Sequence, residues 1–391
     1  CDFVDAGYVD CVDDAFEAVK ALKREDIDML FVLLTTYVPS AVCAPFARYL
    51  DIPQILMGIQ PLEHLDYAHT TTYIQLANDD VCAMPEVADA LGKPHNKFTF
   101  VSGIGCSSRF IYYMKTFGFH TIHGRANAIA TGIKTANPDL SVWVCTGDGD
   151  SLAIGGNHFI HAIRRNIDLN VILFNNEIYG LTKGQYSPTT KLGKVTKTSP
   201  FGTVEKPFTP GELVIGAKGT FFARTIDQEV MLTKECLLAA AKHKGMAVTE
   251  ALVNCMIFND KTHALFAGDK ATREEHTIHL VHGEKMLFGK DKNKGLVFEN
   301  MRLKPVTIGE DGYTIDDVLV HDAKCADTTL HSMLAAMKWP EYPVAVGIIR
   351  EVEDENIYDK KVAQQVADVK AASKITCMDD LLRSGETWEI K

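Results

Sequence analysis

The sequence predicts an α/β protein: a parallel β-sheet with helices on both faces, preceded by a small N-terminal α/β piece. Short apolar runs alternate with segments whose apolar residues recur at helical spacing, which indicates alternating strands and helices. Strands joined by a crossover helix pair in parallel and are buried on both faces. The composition agrees with a folded domain, since 46% of the 391 residues are hydrophobic and 23% are charged.

The first 86 residues show two successive helix–strand units. We expect a helix over 14–24, a strand over 28–34, a second helix over 40–50 and a short strand over 54–58. A further helical piece over 86–91 leads through a turn at 94–96 to a strand over 97–102. This N-terminal part contains no phosphate-binding loop and no evident pair of metal ligands.

From there to about residue 258 the strand–turn–helix–strand pattern is strongest. We expect strands over 141–145, 170–174, 220–225 and 247–254, with helices over 155–165 and 234–243. The segment 187–210 is rich in Lys, Thr, Gly and Pro, which is typical of a long functional loop. The more polar remainder includes a strand over 344–349 and a charged helix over 359–372. Because the length suggests two or three domains, we divide the chain into residues 1–86, 87–275 and 276–391.

Charge, apolar stretches and cysteine usage exclude several classes of protein. The net charge of −11 disfavours a nucleic-acid partner or an anionic membrane surface. The longest apolar stretch, 29–47, is interrupted by prolines, a serine and threonines, so it is no clean membrane span. We see no leader for secretion. Ten scattered cysteines without a CxxC pair favour a reducing, cytoplasmic location. Since the chain begins at Cys1 rather than Met, we expect a fragment or a processed product.

Polar residues follow two neighbouring predicted strands. Gly147-Asp148-Gly149 ends the first, and Asn175-Asn176 ends the next one after 25 further residues. The carboxyl ends of parallel strands meet at one edge of a sheet, where ligands bind. Asp148, the Asn176 amide oxygen and the Ile178 carbonyl are hard oxygen donors that suit Mg²⁺ and leave three positions for phosphate oxygens and water. Each motif alone is a common turn or strand end, but the combination favours a metal–diphosphate site.

These two motifs resemble the thiamine diphosphate signature, and four neighbouring runs narrow the resemblance. The runs are GIGCSSRF (103–110), GFHTIHGRA (118–126), GGNHFI (155–160) and GLTKGQYSP (180–188). Together they resemble the β subunit of 2-oxoacid:ferredoxin oxidoreductases, particularly the 2-oxoglutarate enzymes, over residues 88–391, including the closing run 385–388. The resemblance implies a thiamine-diphosphate-binding fold and an oxidoreductase that is active only with its α subunit. The implied reaction is oxidative decarboxylation of a 2-oxoacid with coenzyme A, giving an acyl-CoA, CO₂ and reduced ferredoxin.

The resemblance also implies the site residues. It places Mg²⁺ on Asp148, Asn176 and the Ile178 carbonyl. The implied thiamine diphosphate contacts are Ile104, Gly105, Cys106, Ser107, His123, Gly124, Arg125, Ala126, Gly149, Asp150, Gly180 and Leu181.

Two further residues are candidates for catalysis. His123 is suited to donate to the substrate oxygen or the diphosphate, or else it is a hydrogen-bonded structural histidine. Arg109 is suited to bidentate pairing with a substrate carboxylate, or else it is a solvated surface arginine.

Electron transfer needs a relay, and the resemblance implies a [4Fe–4S] cluster on four cysteine thiolates. Cys106 and Cys255 match two of these four cysteines, so both are predicted ligands of the cluster iron. The other two belong to a CPGCG motif that this chain lacks. The upstream cysteines without the paired spacing are Cys1, Cys11, Cys43 and Cys82. The alternative is that Cys106 and Cys255 are small buried apolar residues, in a redox-dead protein that keeps thiamine diphosphate and Mg²⁺ without a cluster.

The N-terminal segment resembles a different family. Residues 33–53 (LLTTYVPSAVCAPFARYLDIP) and 61–75 resemble the N-terminal region of L-arabinose/L-fucose isomerases. That family's catalytic metal ligands lie in regions absent here, so no isomerase activity follows. We therefore expect residues 1–86 to be a foreign piece joined near Val87, either as a chimera or as a natural fusion.

The resemblance implies an α subunit, ferredoxin, a 2-oxoacid and coenzyme A as partners. A ferredoxin is acidic, so docking on this acidic chain needs a local basic patch. The long loop offers the lysines Lys191, Lys194, Lys197 and Lys206, although a solvated polar loop would look the same.

Overall fold

The structure is a computed structural model that describes residues 12–25, 27–34, 45–46, 49–50, 54–58, 94–114, 116–266 and 270–386. It also describes the single positions 4, 5, 7, 9, 52, 92 and 388. The strands are β1 (Leu30–Leu34), β2 (Gln54–Gly58), β3 (Phe98–Ser102), β4 (Phe117–His120), β5 (Ser141–Gly147), β6 (Asn170–Asn175), β7 (Phe221–Ile226), β8 (Ala247–Leu252), β9 (Thr277–Leu280), β10 (Leu287–Phe288), β11 (Lys294–Glu299), β12 (Arg302–Thr307) and β13 (Val344–Glu351).

The α-helices lie between and after these strands. They are α1 (Val12–Leu22), α2 (Phe110–Tyr113), α3 (Ala126–Ala136), α4 (Asp148–Leu152), α5 (Gly156–Arg165), α6 (Pro210–Gly216), α7 (Val230–Lys242), α8 (Lys270–His276), α9 (Thr329–Ala336), α10 (Tyr358–Ala372) and α11 (Met378–Leu382). Within the described ranges, no helix is long and apolar enough to cross a membrane.

Eight strands form the central sheet, in the order β4-β3-β5-β6-β8-β7-β13-β9. Neighbouring strands run parallel throughout, except for the antiparallel pair of β7 and β13. The prediction of a parallel sheet is therefore confirmed in the main, with β13 and β9 running opposite to the other six strands. Because β9 and β13 lie beyond residue 275, the last segment contributes strands to the same sheet.

The sheet carries apolar layers on both faces. Side chains alternate along a strand, so Val142 and Val144 of β5 join one core cluster while Trp143 and Cys145 join another. Phe159 of α5 packs in the first cluster, and Leu237 of α7 packs in the second. Because strands buried on both faces have almost no polar positions, β5 and β6 read as continuous apolar runs. The predicted helices on both faces are confirmed.

The N-terminal piece has a small core of its own. Its two strands pair in parallel, with Leu30 opposite Gln54, and the apolar face of α1 packs with Phe46 and Leu50. This confirms the helix and the two strands predicted there. The helices predicted over 40–50 and 86–91 lie largely outside the described residues.

Three features differ from the sequence expectation or are additional to it. The GDG motif begins the short helix α4 instead of forming only a tight turn. Strand β4 was not predicted, because all four of its residues are exposed and its sequence FGFH lacks a buried pattern. The polar C-terminal segment contains an antiparallel sheet of β10, β11 and β12, whose strands are short or only half-buried.

Candidate cofactor and metal site

The candidate site lies at the carboxyl edge of β5 and β6. These neighbouring strands pair in parallel with Gly147 opposite Phe174, so the next residues, Asp148 and Asn175, lie side by side at the ends of the two strands. The predicted placement of the two polar motifs at one edge is thus confirmed by the strand register.

Asp148 is a buried carboxylate with neutral partners. Its Oδ2 accepts hydrogen bonds from Ser187 Oγ and Thr189 Oγ1, each at 2.5 Å. Burial raises the pKa of Asp148 to about 6, although the two hydroxyls oppose this rise. A divalent cation would offset the cost of burying the charged form, and a carboxylate beside amide and carbonyl oxygens suits Mg²⁺. The residues present therefore fit the implied metal ion.

The loop after β6 folds back on the predicted ligands Asn176 and Ile178. Asn176 Oδ1 accepts from the Ile178 backbone N–H at 3.1 Å, and Asn259 Nδ2 donates to the Asn176 carbonyl at 3.0 Å. Glu177 between them has a φ of 55°, a left-handed conformation that turns the chain sharply. The structure places both residues beside the strand end, and their ligation of Mg²⁺ stays a prediction.

Asp150 organises the predicted cofactor segments. Its Oδ1 accepts from the backbone N–H of Gly124 at 2.7 Å and of Ile104 at 3.1 Å, while its Oδ2 accepts from Thr146 Oγ1 at 2.8 Å. His123 Nδ1 also lies 2.7 Å from Asp150 Oδ1, without forming a hydrogen bond. One carboxylate thus ties the segments around 104 and 124 to helix α4, so the structure brings these sequence runs together.

Two glycines allow this close packing. Gly124 has a φ of +73°, and a Cβ there would lie 2.6 Å from the backbone nitrogen of Gly155. A Cβ on Gly149 would lie 2.2 Å from Cε1 of Tyr179. Only residues without a side chain fit at both positions.

The two predicted cluster cysteines meet at Gly180. A Cβ on Gly180 would lie 3.2 Å from Cys106 Sγ and 3.5 Å from Cys255 Sγ. Burial raises the pKa of the Cys106 thiol, the neighbouring Cys255 raises it further, and Arg109 opposes the rise. Arg109 therefore lies close to the cysteine pair. In the described part of the chain, no three His, Cys, Asp or Glu residues form a metal-binding group. The upstream cysteines at positions 1, 11, 43 and 82 lie outside that part.

Sequence reasoning missed several residues that build this site. Ser187 and Thr189 reach Asp148 from the long loop. Tyr179 OH donates to the Gly149 carbonyl at 2.9 Å, and its pKa is raised to about 12, first by burial and then by Asp148 and Asp150. Glu250 accepts from Asn175 Nδ2 at 2.8 Å. Of these residues only Glu250 could have been noticed in the sequence, because it is a charged residue inside the apolar run AVTEAL of β8.

The comparisons with known proteins agree with this geometry. Residues 103–251, which include the site residues described above apart from Cys255 and Asn259, match the thiamine pyrophosphate enzyme family, C-terminal TPP binding domain. The fold and the site therefore define a thiamine diphosphate-binding protein.

The relatives narrow that class. The chain is 45% identical over 302 residues to the 2-oxoglutarate oxidoreductase subunit KorB of Mycobacterium tuberculosis, covering 77% of this chain and 80% of that protein. It is 49% identical over 164 residues to the 2-oxoglutarate synthase subunit KorB of Archaeoglobus fulgidus, covering 42% of this chain and 61% of that protein. The chain belongs to the KorB family of 2-oxoacid oxidoreductase β subunits.

A solved structure supports the fold. It is a 2-oxoglutarate:ferredoxin oxidoreductase from Magnetococcus marinus with 2-oxoglutarate, coenzyme A and succinyl-CoA bound. It aligns with a TM-score of 0.58 and 24% identity, covering 85% of this chain and 100% of that chain. The predicted thiamine-diphosphate-binding fold is thereby confirmed.

Proposed function

We propose that this chain is the β subunit of a 2-oxoacid:ferredoxin oxidoreductase that acts on 2-oxoglutarate. The reaction is oxidative decarboxylation with coenzyme A, giving an acyl-CoA, CO₂ and two reduced ferredoxins. The observation that carries the proposal is the 45% identity to a 2-oxoglutarate oxidoreductase subunit over 302 residues. The carboxyl-edge site, with its buried Asp148, supports it independently.

The metal proposal assigns Mg²⁺ to Asp148, Asn176 and the Ile178 carbonyl. Ser187 and Thr189 hold Asp148 Oδ2 from one side, which fixes the orientation of the carboxylate. The N-terminal turn of α4 and its glycine let backbone N–H groups approach a diphosphate closely. These residues would bind and orient the diphosphate end of the cofactor.

Bound thiamine diphosphate supplies the nucleophilic carbon and the electron sink for decarboxylation. The chain's own residues bind and position it. We propose as its contacts the twelve residues named from the family resemblance, with Asp150 keeping the segments around 104 and 124 in place. Because the Asp150 carboxylate already accepts from three protein donors, its main role is to organise the backbone that faces the cofactor.

His123 and Arg109 are the proposed substrate-facing residues. Asp150 lies against Nδ1 of His123, so Nε2 is the ring nitrogen left to face the cofactor and the substrate. A carboxylate at Nδ1 favours the proton on that nitrogen, so Nε2 donates to a substrate oxygen or the diphosphate only as part of an imidazolium. Arg109 lies near Cys106, where it opposes the rise in the pKa of the thiol that burial causes, and its planar guanidinium matches a substrate carboxylate.

Cys106 and Cys255 are the proposed cluster ligands. Both thiols lie beside Gly180, which supports the proposal that they supply two of the four thiolate ligands of a [4Fe–4S] cluster. The redox-dead alternative predicts a colourless protein that binds thiamine diphosphate with Mg²⁺. Iron and sulfide analysis with a visible spectrum separates the two, since a cluster held by cysteine thiolates gives a brown protein with a broad absorbance in the blue.

The proposed partners are an α subunit and ferredoxin, in the cytoplasm. The lysines of the long loop are the candidates for a basic surface that contacts ferredoxin, and they differ in their contacts within the chain. Lys191 donates to the Thr262 carbonyl at 3.1 Å, and Lys197 lies over the Phe258 ring at 5.6 Å. Lys194 and Lys206 are exposed, so they are the better candidates for contact with an acidic partner.

The direct test is activity of the chain assembled with its α subunit. We expect reduction of ferredoxin that depends on 2-oxoglutarate, coenzyme A and thiamine diphosphate together. Reduction with another 2-oxoacid but not with 2-oxoglutarate would overturn the substrate assignment. Failure with every 2-oxoacid, in an assembled complex that contains the cluster, would overturn the proposed activity itself.

A further inference from the structure

A buried ion pair lies beneath the candidate metal site. Arg224 of β7 and Glu250 of β8 stand opposite each other in the sheet, and Arg224 Nε donates to Glu250 Oε2 at 2.8 Å. Glu250 is 1% exposed and Arg224 is 4% exposed. Such a pair is often no more stabilising than apolar residues of the same volume. Its presence in an otherwise apolar strand therefore calls for a role other than stability.

The other oxygen of Glu250 holds the first asparagine of the strand-end pair. Asn175 Nδ2 donates to Glu250 Oε1 at 2.8 Å. This contact fixes which way the amide faces, since its nitrogen must point to the carboxylate. The amide oxygen then faces the opposite side, where it accepts from Thr189 Oγ1 at 2.9 Å and from the Glu177 backbone N–H at 3.3 Å.

Thr189 carries this orientation to the proposed metal ligand. Its hydroxyl lies 2.9 Å from Asn175 Oδ1 and 2.5 Å from Asp148 Oδ2, and its single hydrogen serves these two acceptors. A continuous hydrogen-bonded chain thus runs from Arg224 through Glu250, Asn175 and Thr189 to Asp148. The bond from Glu177 N–H to Asn175 also shapes the turn that presents Asn176 and Ile178.

We propose that Glu250, held by Arg224, is a positioning residue for the metal–diphosphate site. By fixing the amide of Asn175 it orients both Asp148 and the turn after β6 for a divalent cation. This inference rests on the proposed function, because it takes thiamine diphosphate and Mg²⁺ as the ligands of that edge. Partners of metal ligands typically change metal affinity by about 10- to 100-fold, which sets the expected size of the effect.

The substitution Glu250→Gln tests the order of donors and acceptors in this series of hydrogen bonds. A glutamine offers one acceptor oxygen to two donors, Arg224 Nε and Asn175 Nδ2, so the amide of Asn175 loses its fixed orientation. We expect the apparent Kd for Mg²⁺, measured by calorimetry on the full chain with thiamine diphosphate present, to rise about tenfold or more.

The double variant Glu250→Gln with Asn175→Asp should recover the site. The glutamine nitrogen can then donate to the new carboxylate, while its oxygen accepts from Arg224 Nε. The second oxygen at position 175 still accepts from Thr189 and the Glu177 N–H. We expect the apparent Kd for Mg²⁺ to return to within about threefold of the wild-type value, which is within about 0.7 kcal/mol.

Another ion pair, at the amino edge of the sheet, supplies the control. Lys134 Nζ lies 2.9 Å from Asp168 Oδ2 at the amino edge, just before β6. We expect Asp168→Asn to lower the melting temperature without changing the Kd for Mg²⁺. Should Glu250→Gln fail to fold, Thr189→Val breaks the same hydrogen-bonded chain at its contact with Asp148 and is expected to weaken Mg²⁺ binding in the same direction.

The outcomes separate this inference from the proposed function. A wild-type chain that binds no thiamine diphosphate with Mg²⁺ contradicts the proposed function. A wild-type chain that binds both, together with Glu250→Gln or Thr189→Val variants of unchanged Mg²⁺ affinity, overturns the positioning role. A double variant no better than Glu250→Gln alone also overturns it, because the donor–acceptor polarity would then not matter.

Discussion

The two edges of the central sheet bury polar groups in different ways. At the amino edge Lys134 Nζ reaches Asp168 and also donates to the carbonyls of Pro138 and Leu140, at 2.8 and 2.9 Å. The Lys134 ammonium is therefore fully paired by groups of the protein itself. At the carboxyl edge Asp148 is buried with two hydroxyl donors, and its pKa is raised to about 6. A closed polar cluster is the mark of a structural role, whereas a buried carboxylate with neutral partners is suited to receive a cation.

The largest expected effect comes from removing the carboxylate of the carboxyl edge. Asp148→Ala should abolish Mg²⁺-dependent binding of thiamine diphosphate, because it deletes the only charged oxygen donor among the proposed metal ligands. Calorimetric titration of thiamine diphosphate with and without Mg²⁺ measures this. Binding equal to wild type in the variant would show that Asp148 is no metal ligand.

A second change tests the close packing at the same edge. Gly149→Ala places a Cβ 2.2 Å from Cε1 of Tyr179, so either the ring or helix α4 must move. We expect a loss of about 1–3 kcal/mol in the free energy of unfolding and weaker cofactor binding. Gly156→Ala is the control, since a Cβ there meets nothing within 4 Å. Urea denaturation compares the two, and equal stability of the two variants would contradict the packing argument.

At the amino edge the expected effect is on stability alone. Lys134→Met removes the ammonium and leaves Asp168 and two carbonyls without their donor, which should cost about 1–3 kcal/mol in the free energy of unfolding. Thiamine diphosphate binding should stay unchanged, because no proposed site residue contacts Lys134. A variant that loses cofactor affinity while keeping wild-type stability would reverse the assignment of roles to the two edges.

A further effect on stability appears only at low pH. His243 lies just before β8, and its Nε2 is 2.8 Å from Thr220 Oγ1. Burial lowers the pKa of His243 to about 4, against about 6.5 for an unfolded histidine. The unfolded chain therefore takes up a proton first as the pH falls, so the contribution of His243 is full above pH 6.5 and is lost progressively down to about pH 4.

We expect wild type to lose about 2 kcal/mol of unfolding free energy from this group between pH 7 and pH 4.5. His243→Gln lacks the titrating ring and should lose correspondingly less over the same interval. Urea denaturation of both proteins at the two pH values gives the difference. Parallel pH profiles for wild type and variant would contradict the burial of a neutral imidazole.

Much of the sheet was predictable from the sequence because its strands are buried on both faces. The runs of β5 and β6 are continuously apolar, and parallel pairing then fixes where Asp148 and Asn175 emerge. The exposed strand β4 left no such pattern, since none of its four residues is buried. Local spacing therefore placed the two polar motifs at one edge of the sheet but did not predict every element around them.

The supporting contacts were not predictable, because they join residues far apart in the chain. Thr189 lies 41 residues from Asp148, and Glu250 lies 75 residues from Asn175. Sequence spacing does not tell which way an amide or a hydroxyl points, so only the folded chain relates these residues. The pairing of Cys106 with Cys255 came from the family resemblance, and the structure supports it by bringing both thiols to Gly180.

The central claim is that the carboxyl edge of β5 and β6 binds thiamine diphosphate through a divalent cation. Calorimetric titration of the full wild-type chain with thiamine diphosphate, in the presence of Mg²⁺ and then of a chelator, tests it most directly. The claim predicts saturable binding that disappears with the chelator. Binding of equal strength without the metal, or no binding in either condition, would contradict it.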